Sequence, residues 1–256
     1  MIRIALVCTA AVLLSGCSWL GNWSGNNAGQ RMNLELAVSY EPSIDGEVVK
    51  NSFDTTGTAQ LLTTGYSDAY NEGLRYQAGI SYALSDTVEV TASGNYSKAS
   101  GNIVGAGTAG VDPITAQFSD LKSYGGEIGV RKYFRNKTFA TLLSPAVSPY
   151  IGASVGVQQI EAANASLSSA GFGGIGQPAN FSTQLYADST VPTAQLTIGA
   201  EWRASRNFAI GIESGIRYTG ALNAGDGTLL ALGFEEADSH AENLTIPITL
   251  RGRFKF

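Results

Sequence analysis

Leu244-Thr245-Ile246-Pro247-Ile248-Thr249-Leu250-Arg251-Gly252-Arg253-Phe254-Lys255-Phe256 runs to the last residue of the sequence in a two-residue period. Leu244, Ile246, Ile248, Leu250, Phe254 and Phe256 fall on one face, and Thr245, Thr249, Arg251, Arg253 and Lys255 on the other. Successive side chains of a strand point to opposite faces, so this pattern predicts a strand between an apolar and a polar environment. Working back from it, seven more segments alternate in the same way: Leu34 to Tyr40, Leu74 to Leu84, Val88 to Tyr96, Tyr124 to Phe134, Ile151 to Val157, Ala194 to Trp202 and Phe208 to Tyr218.

The connections alternate in length. Ser85-Asp86 and Ser205-Arg206 suit tight hairpins, and a longer stretch near 136–149 joins the fourth segment to the fifth. The remaining links, near 42–73, 98–120, 162–190 and 220–243, are long and rich in Gly, Asn, Ser, Ala and Asp. Structureless links of that length are uncommon in compact soluble domains, whereas short turns on one side and long loops on the other are normal for outer-membrane barrels. The expected fold is all-β: an eight-stranded antiparallel up-and-down transmembrane β-barrel over 33–256, with short periplasmic turns and long extracellular loops. Eight strands return the chain end to the side where the barrel begins, so both termini are expected in the periplasm.

Composition agrees. Charged residues make up 14% of 256, against about a quarter in an ordinary soluble domain. The formal net charge of −5 excludes an electrostatic nucleic-acid binder. After residue 20 no apolar run approaches the length of a membrane-spanning helix.

Met1-Ile2-Arg3 followed by the apolar run Ile4 to Leu14 reads as a signal peptide over 1–16. The run ends in Leu14-Ser15-Gly16-Cys17, which resembles the lipobox of bacterial lipoproteins. That resemblance implies lipid attachment at Cys17 and loss of Cys8 with the signal, which leaves no free thiol. Ser18 after the Cys implies passage to the outer membrane, and residues 17–32 then form a lipidated, flexible tether.

The direction of the apolar face follows from the aromatics. Tyr40, Tyr76, Tyr96, Tyr124 and Tyr218 fall beside the long links; Tyr82, Phe134, Trp202, Phe208, Phe254 and Phe256 fall at the turn side. Two aromatic girdles around an Ile/Val/Leu/Ala band match the two membrane interfaces, so the apolar face is expected outward. The chain thus resembles the small eight-stranded outer-membrane barrels of the OmpA-barrel, OmpX and opacity-protein type. The resemblance covers about 33–256 and rests on the alternation, the girdles, stretches such as Ser148-Pro149-Tyr150-Ile151-Gly152-Ala153 and the Phe256 ending. Phe254 and Phe256 resemble the terminal signal read by the barrel-assembly machinery. The lipobox departs from the plain signal peptide usual in that family, and no peptidoglycan-binding role is implied.

On the inward face lie Glu35, Glu89, Glu127, Glu201 and Glu213, with Arg75, Arg131, Arg203, Arg217, Arg251 and Arg253. An eight-stranded lumen is only wide enough for side chains to fill it, and buried charges must pair, so these residues are expected to form a charge network that plugs the barrel. The alternative is a narrow channel, helped by inward Gly79, Gly129, Gly156, Gly199 and Gly215. The long links hold thirteen acids (Asp45, Glu47, Asp54, Asp68, Glu72, Asp112, Asp120, Asp188, Asp226, Glu235, Glu236, Asp238, Glu242) against Lys50 and Lys98. The acidic surplus therefore faces the cell exterior.

No metal-ligand spacing, phosphate loop or dinucleotide fingerprint is present, so no cofactor and no metal are expected. A lipid-modifying enzyme would lean on His240, the one His, beside Ser239 and near Asp238 and Glu242. Neighbours in sequence rarely arrange as nucleophile, base and orienter, so no enzyme is expected. The sequence reading is a monomeric structural barrel that supports the envelope and presents acidic loops for adhesion or recognition. Its expected partners are outer-membrane lipid, lipopolysaccharide, the assembly machinery and a surface ligand of the loops.

Overall fold

A computed structural model describes residues 32–134, 147–225, 227–234, 237 and 242–255. Cys17, His240 and Phe256, and the acids Asp226, Glu235, Glu236 and Asp238, lie outside the described residues. Eight wall strands follow one another around a barrel: β1 (Met32–Glu41), β2 (Gly73–Ala83), β3 (Val88–Ala99), β4 (Leu121–Tyr133), β5 (Val147–Ile160), β6 (Ser189–Arg203), β7 (Phe208–Thr219) and β8 (Ile248–Lys255). Each pairs antiparallel with the next, and β8 closes on β1 through eight residue pairs from Asn33 opposite Lys255 to Tyr40 opposite Ile248. Closure leaves no open edge in the wall, the condition lipid imposes on a spanning sheet. The last strand is interrupted at Ile246-Pro247, where proline lacks the N–H a ladder needs. The short piece Asn243–Thr245 before it still pairs with β7.

The alternation maps directly onto inside and outside. Leu36, Ile80, Ile128, Val155, Ile212 and Leu250 are exposed on the outer face, and Leu196 and Ile198 reach 66%. On the loop side of this belt Tyr76, Tyr96 and Tyr124 stand opposite one another in a single register row across β2, β3 and β4. On the turn side Phe208 and Phe254 pack at 4.8 Å between ring centroids. The apolar core of the described chain is therefore not in the barrel.

It lies above the wall, in the long connections. Four segments expected as polar loops instead build a folded cap. A six-stranded sheet takes its strands from three of them, in the order 180–186, 163–168, 112–118, 103–109, 59–61 and 52–53. One buried cluster gathers Leu61 and Tyr70 from the first connection, Ile114 and Phe118 from the second, Leu167 and Phe172 from the third and Leu229 and Phe234 from the fourth. Side chains too few in any one loop to form a core do so together, which holds the backbones of all four in place. The helical turn Tyr66–Ala69 (α1) adds Tyr66 and Ala69 to the same buried cluster.

Candidate functional site

The barrel interior and the seam under the cap hold the polar chemistry of the described chain. Because inward positions are spaced by two residues, charged side chains from neighbouring strands meet in tiers. The upper tier centres on Glu127 of β4. It accepts from Arg75 of β2 at 2.5 Å and from Arg217 of β7. Arg75 also meets Glu41 of β1 at 3.3 Å, and both guanidiniums share the Gln195 carbonyl oxygen at 3.4 and 3.2 Å. Arg217 donates further to Gln158 of β5 at 2.9 Å, and Asn95 of β3 donates to Glu127 at 3.5 Å.

The lower tier lies nearer the short turns. Arg131 forks onto both oxygens of Glu35 at 2.7 and 2.6 Å, and Arg251 reaches the same carboxylate at 3.1 Å. Arg251 also lies 3.7 Å from Glu201 and 3.9 Å from Glu213. Arg253 contacts both oxygens of Glu89 at 2.7 Å and pairs with Glu201. Two inward tyrosines complete the tier. Tyr133 donates to Glu201 at 3.3 Å, and Tyr150 donates to Glu213. Their rings are 5.2 Å apart; the Arg251 guanidinium lies 5.1 Å from the centre of the Tyr150 ring, and that of Arg253 5.4 Å from the centre of the Tyr133 ring. Such cation–aromatic stacking is strongest when it is desolvated.

Ten of the eleven inward charges named from the sequence thus meet in the lumen. Arg203 does not. It is exposed at the turn end of β6, opposite Ala209 in the last pair of the hairpin, and no ion pair ties it to the network among the described residues. Its face is inward but its height is that of the rim, where water solvates it. Glu41, Tyr133 and Tyr150 join the network without having been named. All three share the inward parity of their strands and were legible by that count alone.

The inward glycines do not open a bore. A β-carbon on Gly156 would sit 2.6 Å from the Glu127 side chain, and one on Gly199 would sit 2.5 Å from the Tyr150 ring. At Gly156 and Gly199 the space is filled by the plug itself, while Gly79, Gly129 and Gly215 abut the backbone of a neighbouring strand. Between the tiers lies a polar cavity of about 40 Å³ beside Gln77, Ser154 and Thr197, room for water. A second cavity, of about 130 Å³, lies above the upper tier and beneath α1.

A soluble barrel buries its apolar face inside and shows its charges to water. Here buried arginine–glutamate pairs fill the interior while leucine and isoleucine cover the exterior, so the solvent of the outer face is lipid. The chain is a small eight-stranded barrel of the outer-membrane type. No protein-family model matches it, and no curated protein matches it in sequence. Solved structures with a similar path include Neisserial surface protein A, at 12% identity over 88% of this chain and 97% of that one with a TM-score of 0.44. The outer membrane protein OprG from Pseudomonas aeruginosa gives 10% identity over 89% and 97%, with a TM-score of 0.38. The outer membrane protease OmpT from Escherichia coli gives 9% over 91% and 99%, with a TM-score of 0.40. These are likenesses of path only.

Proposed function

We propose that this chain is a non-catalytic outer-membrane barrel that holds a folded β cap at the cell surface for adhesion or recognition. One observation carries the reading: the two polar ends of the molecule are built differently. The lumen is filled by side chains that satisfy one another, which suits a pedestal. The loops share a common hydrophobic core, which suits a surface that must keep its shape while it meets a partner. The first residue of β1 and the last of β8 lie with the short turns, an arrangement that fits periplasmic termini and an exterior cap. The acids of the connections, among them Asp45, Glu47, Asp68 and Asp112, would then give the exterior a negative field.

Single-channel recording of the refolded chain in planar bilayers tests this. Silence from a barrel that still shows heat-modifiable mobility is the expected result. Discrete, reproducible openings would overturn it and make transport through the lumen the function.

A further inference from the structure

The 130 Å³ cavity lies where β1, β2 and β7 leave the wall, between the charge network and the cap. Arg217 and Gln158 of the upper tier form its floor, and Tyr66 and Tyr70, with ring centroids 5.9 Å apart, form its roof. Ser67 and Asn71 lie on its lining and are exposed, so it reaches the exterior at that side.

Two polar atoms in its lining are buried without a hydrogen-bond partner: Oγ1 of Thr245, a residue only 6% exposed, and Oδ1 of Asn243. Buried polar atoms are almost always paired, because an unpaired one forfeits its hydration. An amide oxygen can only accept and a threonine hydroxyl can do either. A group that donates to Asn243 and exchanges a bond with Thr245, as a hydroxyl does, would satisfy both. The charges of the floor compensate one another, Arg75 and Arg217 against Glu41 and Glu127, and Glu72, the further charge of the lining, is exposed and hydrogen-bonded to Tyr40, so a buried ligand bringing net charge would be left unpaired. The tyrosine rings of the roof, with Leu121 and Ile160, offer an apolar surface to C–H groups. A dry cavity of about 150 Å³ admits benzene, so this one, at about 130 Å³, holds a molecule of at most about six heavy atoms.

We propose that the cavity beneath the cap binds a small neutral polyol of about glycerol's size, through Asn243 and Thr245 under the Tyr66–Tyr70 roof. Entry past Ser67 and Asn71 would put the ligand against α1, at the base of the cap. The proposal stands apart from the closed-lumen reading, since a conducting barrel could equally hold a ligand at its mouth.

Saturation-transfer NMR on the full chain in detergent micelles tests it, with glycerol and ethylene glycol as hydroxylated probes and glucose as a control too large for the cavity. Acetate and tetramethylammonium serve as charged controls. Transfer to at least one hydroxylated probe is expected, with none to glucose. Thr245→Val and Asn243→Leu should each weaken apparent affinity about tenfold, the scale of one lost hydrogen bond to a buried group. Both variants should keep heat-modifiable mobility, which separates loss of binding from loss of the barrel. The proposal is overturned if no hydroxylated probe receives saturation, which would leave the cavity to water. It is equally overturned if a charged control binds better, or if both folded variants bind as the parent does.

Discussion

Arg217 on β7 reaches across the lumen to the carboxylate of Glu127 on β4, ninety residues earlier in the chain, and Arg75 of β2 meets the same oxygen from a third direction. One carboxylate thus holds two guanidiniums that are almost fully buried. Removing the anion leaves two buried cations facing each other, which is why the pairing decides stability more than its Coulomb attraction alone suggests.

Glu127→Gln should therefore lower the midpoint of heat-modifiability, with a loss of about 3–5 kcal/mol, the cost of breaking a buried pair. Arg217→Ala should fall in the same range and Arg131→Ala lower, because the Arg131 side chain keeps 13% of its surface exposed against 3% for Arg217. Arg203→Ala, at the rim, should leave the midpoint where it is. Equal effects at Arg203 and Arg217 would count against the network.

The apolar exterior predicts a response that depends on position. Ile198, 66% exposed between the Ala194 row and Trp202, lies in the middle of the belt. Ile198→Arg should cost about 2–4 kcal/mol when the barrel is refolded into bilayers. Val111 is 97% exposed at a cap turn, and Val111→Arg should cost nothing measurable. A tolerated arginine at 198 would show that this face does not meet lipid.

The cap can be unlocked without touching the wall. Gly107 has φ +145, and a β-carbon there would fall 1.9 Å from the Gln60 carbonyl oxygen, against the strand that Gly107 pairs with at Leu61. Gly107→Ala should open the cap to protease while the barrel fragment stays resistant, read by limited proteolysis of whole cells or proteoliposomes. A resistant cap would mean that its core holds without this pairing.

Acid should loosen the cap through Asp54. Burial opposes ionisation of its carboxyl, but donors outweigh it: the Thr56 hydroxyl and the Ala59 amide, the latter at 2.8 Å, hold it below the ordinary carboxylate range. A lowered native pKa gives stability that is present above the unfolded value near 3.9 and is lost as pH falls through the native one. Amide protection factors around 54–59, taken relative to intrinsic exchange at each pH, should fall below about pH 4 in the parent chain, from that linkage. In Asp54→Asn protection should already be low at neutral pH and change less with acid. Identical pH profiles would remove Asp54 from the account.

The wall was legible because its signal is local. Each strand shows its two environments within its own residues, so all eight strands and the inward position of Glu35, Arg75 and Glu127 follow from counting by two. Even Tyr133 and Tyr150 could have been assigned this way, by their parity with Arg131 and Gly152. The cap was harder to see. Ile114, Ala116 and Phe118 alternate, as do Ala163, Ala165 and Leu167, but over stretches too short and too rich in alanine and glycine to stand out from loop composition. Their apolar face becomes a core only beside the other connections.

By itself, then, the sequence determined the strands, their faces and the girdles, because a strand's two-residue period is set by backbone geometry and needs no partner to be read. Tertiary structure alone decided which charges meet. Arg251 finds Glu35 across 216 residues, and Arg203 finds no partner in the network though it shares the inward parity. Both outcomes depend on the height at which closure sets each strand against its neighbours. That stagger belongs to the barrel as a whole, as the shared core of the cap belongs to four connections at once, and no single segment encodes either.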